Sequence, residues 1–243
     1  MIVEYGIYFL TTVILSTIFA IAGLGSAVAL VPTLNIIGLS FDIARVSGLF
    51  VNSISTITTS ILNLKKQLFD MKFVAPLVIS SVVFAFIGAR VSLMVDVEVV
   101  KLIFGITLLI IASMILFWKK PQNHKLQDSK LVLIFAGSIG GLFSGFLGIG
   151  GGSIISPILL IFGYDMKRIA IGISFVIPFS SIVAFGSYAS VIELDYILLA
   201  VVGVAALIGG MIGNYLLHFK ISAQNIKKIL AVALYIIAFK MLY

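Results

Sequence analysis

Apolar residues run through this chain in long intervals that no charge interrupts. Between consecutive Asp, Glu, Lys and Arg residues lie stretches of 37 residues (5–41), 19 (46–64), 17 (73–89), 17 (102–118), 34 (131–164), 24 (169–192), 24 (196–219) and 11 (229–239). A helix needs about 20 apolar residues to cross a hydrocarbon core roughly 30 Å thick, and most of these stretches reach or approach that length. The pattern predicts an all-α polytopic membrane protein.

Composition agrees with the pattern. At 61% hydrophobic and 10% charged, the chain has more apolar side chain than a soluble interior can hold. A net charge of +7 would point to nucleic acid in a soluble protein; here it reads as an orientation signal, and no nucleic-acid partner is expected. With no cysteine there is no disulfide, thiolate metal site or cysteine nucleophile. The two histidines, His124 and His218, stand away from any carboxylate cluster, so neither a metal nor another cofactor is expected. Paired intramembrane aspartates, His-Glu-x-x-His and Ser-His pairs are missing, which argues against an enzyme. Met1-Ile2-Val3-Glu4 lacks a basic region and no cleavage pattern closes the first apolar run, so no removable signal peptide is expected.

The chain also repeats itself. Displacing it by 125 positions aligns Gly23, Gly25, Pro32, Leu34 and Gly38 with Gly148, Gly150, Pro157, Leu159 and Gly163. The register continues through Phe50, Val51 and Ser55 on Phe175, Val176 and Ser180, then Asp70 on Asp195 and Gly88 on Gly213. Glycines and prolines that keep one register over such a distance indicate a duplication. It divides the chain into an N-terminal transmembrane repeat (1–118), a basic linker (119–130) and a C-terminal transmembrane repeat (131–243).

Each repeat opens with its longest interval, interrupted by glycines at matching places. Beyond the interruption only about 12 apolar residues remain, which as a helix span about 18 Å and cannot cross alone. Either each interval is a V-shaped hairpin or it is one long tilted helix. Charge decides between them. If every interval crosses once, Lys and Arg divide equally between the two sides of the membrane. If both broken intervals return to their starting side, the loops at 65–72, 119–130, 165–168 and 220–228 share a side carrying 12 of the 16 Lys and Arg. The positive-inside rule selects the hairpins. The expected architecture is therefore two inverted-topology repeats, each a Gly-broken hairpin followed by three transmembrane helices. Both termini would lie outside and loop 119–130 in the cytoplasm.

Candidate chemistry centres on Gly145-Phe146-Leu147-Gly148-Ile149-Gly150-Gly151-Gly152-Ser153 and its looser counterpart Gly23-Leu24-Gly25-Ser26. Glycines at membrane depth free backbone groups that must find partners or line a cavity, and the helix that starts after each run would aim its amides inward. Close helix packing is the plainer alternative. The candidate anion contacts are Gly23, Gly25, Ser26, Gly148, Gly150, Gly151, Gly152 and Ser153, with Pro32, Pro157 and Pro178 as structural breaks. Asn52, Ser53, Ser55 and Thr56 follow the first hairpin, and Ser174, Ser180 and Ser181 follow the second. Of these, Asn52, Ser174 and Ser180 complete the expected site, donating to oxyanion oxygens without a fixed charge. Lys167-Arg168 and Arg45 follow the hairpins, where they would draw anions toward the mouths. No charge lies deep within the long intervals, which disfavours a carboxylate proton relay and leaves uniport or coupling to an ion held by backbone carbonyls.

Gly-x-Gly-Gly-Gly-Ser-x-x-x-Pro-x-Leu, read as Gly148 to Leu159 and repeated more loosely as Gly23 to Leu34, resembles the TauE/SafE family of sulfite exporters and sulfonate permeases, over essentially the whole chain. That resemblance implies a multi-pass transporter of the cell membrane for small sulfur-containing anions: sulfite, sulfonate, sulfoacetate or thiosulfate. An anion channel and a non-transporting scaffold or assembly factor remain as rival readings. The expected partners are the anion and the lipid bilayer, with a homo-oligomer left open.

Overall fold

The computed structural model describes residues 2–22, 25–65, 70–117, 129–216 and 223–242, and every regular element among them is an α-helix. The first repeat holds α1 (Ile2–Ala22), α2 (Ala27–Ile36), α3 (Phe41–Lys65), α4 (Met71–Ser92) and α5 (Val97–Phe117). The second holds α6 (Lys130–Leu147), α7 (Gly152–Ile161), α8 (Met166–Ala189), α9 (Tyr196–Leu216) and α10 (Ala223–Leu242). Linker residues 119–128, and Gly23 of the first break, lie outside the described residues.

Both long intervals break at their glycines. The hairpins are uneven: α1 has 21 residues and α6 has 18, while α2 and α7 have ten each and rise only about 15 Å. Pro32, Pro157 and Pro178 lie inside α2, α7 and α8, so helix continues through each proline and neither break falls on one. Gly25 and Gly150, equivalent in the repeat, both take the left-handed conformation (φ 81° and 68°), which a side chain would strain. The second hairpin closes on its own starting end. The Tyr164 hydroxyl, just after α7, accepts from the Ser129 amide at 3.2 Å, just before α6.

Among the described residues six helices are long and apolar enough to cross a membrane: α1, α4, α5, α6, α8 and α9, while α10 is apolar over Leu230–Leu242. α3, with 25 residues, is the longest helix yet stands outside this group. It carries Arg45, Ser47, Asn52, Ser53, Thr56 and Ser60 on buried positions. Polar groups on buried positions of a membrane helix mark a protein-lined interior rather than a lipid face.

The repeats interleave. α1 packs on α9 and, equivalently, α6 on α4, so each first arm has its main partner in the other repeat. α3 meets its own equivalent α8, and α5 meets α10. Both pairs run antiparallel: Arg45, Asn52 and Ser60 face Tyr188, Ser181 and Ser174, while Gly105 and Ser113 face Leu242 and Tyr235.

The α4–α6 seam is made by small residues at four-residue spacing. A Cβ on Gly141 or Gly145 would overlap the carbonyls of Ser81 or Ala85, and one on Gly137 would lie 2.8 Å from the Leu77 carbonyl. Such spacing lets two backbones touch where apolar burial gives no drive for association. Across the repeat, Asp70 and Asp195 are equivalent N-caps. Asp70 accepts from the Lys72 and Phe73 amides and from Arg168 (2.6 Å), and Asp195 accepts from the Leu198 amide and the Tyr5 hydroxyl (2.8 Å).

Candidate functional site

Asn52 sits midway along α3, fully buried, and the two glycine breaks close on it from opposite sides. A Cβ on Gly25 would come within 2.6 Å of Asn52 Oδ1, and one on Gly150 would overlap Asn52 Nδ2. Asn52 Nδ2 donates to Ser181 Oγ of α8 at 3.3 Å. Two repeat-related breaks and two repeat-related helices thus converge on one amide, and only glycine leaves it room.

This centre holds more hydrogen-bonding capacity than it uses. The buried Asn52 Oδ1, Ser26 Oγ and Ser153 Oγ have no partner among the described residues. Neither α2 nor α7 has a side-chain cap, so no side chain of the N-cap residue satisfies the first amides of either helix. Unpartnered groups in a low-dielectric interior each cost about 1–3 kcal/mol, so a ligand that engages them recovers that free energy on binding.

The other expected residues divide. Ser180 donates back to the Val176 and Ile177 carbonyls of its own helix, and Ser53, Ser55 and Thr56 bond likewise within α3. Ser181, one position on, is the α8 hydroxyl that reaches the centre. Ser174 lies two helical turns away, where its carbonyl accepts from Ser60 Oγ and its hydroxyl from Asn63 Nδ2 at 2.9 Å. That carbonyl is free because Pro178, four residues on, has no amide hydrogen to give it. A Cβ on Gly151 would lie 2.6 Å from the Gly140 carbonyl and one on Gly152 2.6 Å from the Ile177 side chain, so both glycines serve close packing of α7 against α6 and α8. Gly148 fits against the Arg45 stem, with a Cβ there 2.8 Å from Arg45 Cβ.

Arg45 departs most from expectation. It is not at a solvent-facing mouth: its side chain is 1% exposed, about 10 Å along α3 from Asn52. One terminal nitrogen, Nη1, donates to Ser92 Oγ, the Phe146 carbonyl (3.2 Å) and Tyr188 Oη (3.2 Å). The other, Nη2, pairs with Asp42, and Nε has no partner among the described residues. Phe41 and Tyr188 sandwich the guanidinium at 4.9 and 4.8 Å. Its place beside the last carbonyls of α6 suits a cation at a helix C-terminus. Charge counting assigns an arginine next to a loop to topology, and nothing in the sequence distinguishes this one except that its repeat equivalent is Ala170.

At the same end a depression is lined by Ser47, Glu193, Asp195 and apolar side chains of α3 and α9. Its acidic rim does not suit an anion, and it lies apart from the centre. At the opposite end, the Arg168 hydrogen bond and the α4 amides hold the Asp70 carboxyl below its ordinary pKa. Asp195 is lowered mainly by the Leu198 amide, with the Tyr5 hydroxyl adding to it. Among the described residues no group of His, Cys, Asp and Glu is arranged to hold a metal ion.

Comparison with known proteins agrees with this architecture. The family described as sulfite exporter TauE/SafE matches residues 8–241. A probable membrane transporter protein of Methanocaldococcus jannaschii is 34% identical over 188 residues, covering 72% of this chain and 68% of that relative. The chain therefore belongs to the sulfite exporter TauE/SafE family of membrane transporters.

Proposed function

We infer that the protein carries small sulfur-containing anions of the sulfite, sulfonate, sulfoacetate or thiosulfate class across the cell membrane, by alternating access around Asn52. One observation carries this reading: the two repeat-equivalent glycine breaks meet on one buried amide, beside unpartnered hydroxyls and uncapped helix N-termini. Helix N-termini and neutral donors stabilise an oxyanion without a buried lysine. Membership of a sulfite exporter family supports the substrate class. Asn52 and Ser181 are both fully buried, which favours an occluded carrier over an open channel.

The two ends of the bundle support one orientation. Asp70 with Arg168, and Ser129 with Tyr164, gather the loops near 70, 129 and 164–168 at one end, which supports an inverted arrangement with the basic loops in the cytoplasm and both termini outside. The antiparallel α3–α8 and α5–α10 pairs support the same arrangement. A reporter fused after Tyr243 should be active only outside; a cytoplasmic signal would refute this orientation.

Liposomes containing the protein should accumulate radiolabelled sulfite in a saturable manner. Asn52→Leu should abolish this uptake, whereas Gly210→Ala, in open space on α9, should leave it unchanged. Uptake untouched by Asn52→Leu would remove the site from the mechanism.

A further inference from the structure

We propose that Arg45 binds the transported oxyanion, and that Asp42 is a tethered carboxylate occupying part of the arginine when the anion is absent. The proposal rests on the anion-transport reading above and adds a second station, about 10 Å along α3 from Asn52.

A buried guanidinium is costly and is retained where something repays its desolvation. Among the described residues only Asp42 balances it, and that carboxylate is 39% exposed, reaching in from the margin. The repeat itself does not require the charge, because the equivalent position in the other half is Ala170.

The geometry of the fork points to an oxyanion. Ser92, Tyr188 and the Phe146 carbonyl all converge on Nη1, and two aromatic rings cover the guanidinium. What remains is the edge formed by Nε and Nη2, the edge that takes two oxygens side by side. Asp42 reaches it through one oxygen, on Nη2, and Nε is left without a partner. A ligand with two oxygens on one central atom, as in a sulfite or sulfonate, would fill both positions and release Asp42. Chloride, a single sphere, gains nothing from the second position. Arg45 therefore selects oxyanions over halides before the anion reaches Asn52.

The test is titration calorimetry on the purified full-length protein with sulfite, methanesulfonate and chloride, with thermal unfolding recorded for each variant. Asp42→Asn removes the competing charge and should tighten sulfite and methanesulfonate binding by about fivefold. Arg45→Lys keeps the charge and loses the fork, so it should weaken both oxyanions by about tenfold while leaving chloride unchanged. If Asp42→Asn only lowers the melting temperature, with oxyanion affinity unchanged or weaker, Arg45 is a structural clasp and the proposal is overturned. If the wild type binds oxyanions, Asn52→Ala abolishes binding and neither Asp42→Asn nor Arg45→Lys alters it, the proposal fails and the transport reading stands. If the wild type binds neither oxyanion, both fall.

Discussion

The second hairpin is held far more tightly than the first. α6 lies on α4 through Gly137, Gly141 and Gly145, whose repeat equivalents on α1 are Thr12, Ser16 and Ala20. The α1–α9 seam carries its glycines on α9 instead, where a Cβ on Gly209 or Gly213 would come within 2.6 Å of the Val13 or 2.5 Å of the Thr17 carbonyl, a milder overlap than those behind Gly141 and Gly145. Arg45 adds a further restraint by bonding the Phe146 carbonyl at the tip of α6 to α3, α4 and α8, and Ala170 has nothing comparable to offer the first hairpin. The two matching arms thus differ in how they are anchored: α6 by its glycines and by Arg45, α1 without a counterpart to Arg45. In an alternating-access cycle the α6–α7 hairpin would travel with α4, and α1–α2 would be the arm that shifts against its partner.

The largest test of this difference lies in the seams. Gly145→Ala forces a methyl into the Ala85 carbonyl and should destabilise the protein by about 2–3 kcal/mol in detergent unfolding. Gly213→Ala meets the Thr17 carbonyl at 2.5 Å, a milder overlap, and should cost about 1 kcal/mol. A larger loss for Gly213→Ala would reverse the assignment of anchor and mover. Next come the two breaks themselves. Alanine at Gly150 strains a left-handed residue and overlaps the Asn52 amide, and sulfite uptake should fall by about tenfold or more. At Gly25 the overlap is milder, and the drop should be smaller. Equal losses would mean that both breaks grip the centre alike.

A smaller contrast separates the two N-caps. Both carboxyls are depressed in the fold, so each contributes stability above the unfolded value near 3.9, and that contribution is lost as pH falls through the lower folded value. The melting temperature should therefore fall on acidification below about pH 4. Asp70→Asn keeps a cap but loses the Arg168 pair. After solvent screening this should cost about 0.5 kcal/mol at neutral pH, and 1 M salt, where the Debye length is about 3 Å, should erase the difference. Asp195→Asn, whose shift comes first from a backbone amide, should show less salt sensitivity. Smallest of all, Gly210→Ala faces open space and should change stability by no more than about 1 kcal/mol, in the stabilising direction through helix propensity.

Much of this fold is legible along the chain because the bilayer simplifies the reading: charge can stand only at the ends, so gaps in charge trace helices. The paired breaks are legible as well, since glycines that hold one register across two repeats seldom arise except by duplication of a shared break. What the chain does not reveal is detail set by three-dimensional neighbours. Ser180 and Ser181 are adjacent in sequence but about 100° apart around α8, and only the crossing with α3 decides which reaches Asn52. Proline suggests a break, yet helix runs through Pro32, Pro157 and Pro178, in the last case with Ser60 supplying the bond that Pro178 cannot. Arg45 is hidden by its place in the first turns of a helix, where an arginine facing outward looks the same on paper. The glycines of α6 separate from Gly150 of the break, which closes on Asn52, only once Ser81 and Ala85 are seen behind Gly141 and Gly145.

The interleaving of α1 with α9 also bears on how the chain is built. A ribosome delivers α1 to the membrane long before it makes α9, and α4 before α6, so the earliest helix waits as a solitary span until most of the protein exists. Neither repeat made alone would hold its own first arm. Synthesis stopped after residue 118 would leave orphaned surfaces on α1, α3, α4 and α5, and α1 gains its main partner only when the ninth helix arrives.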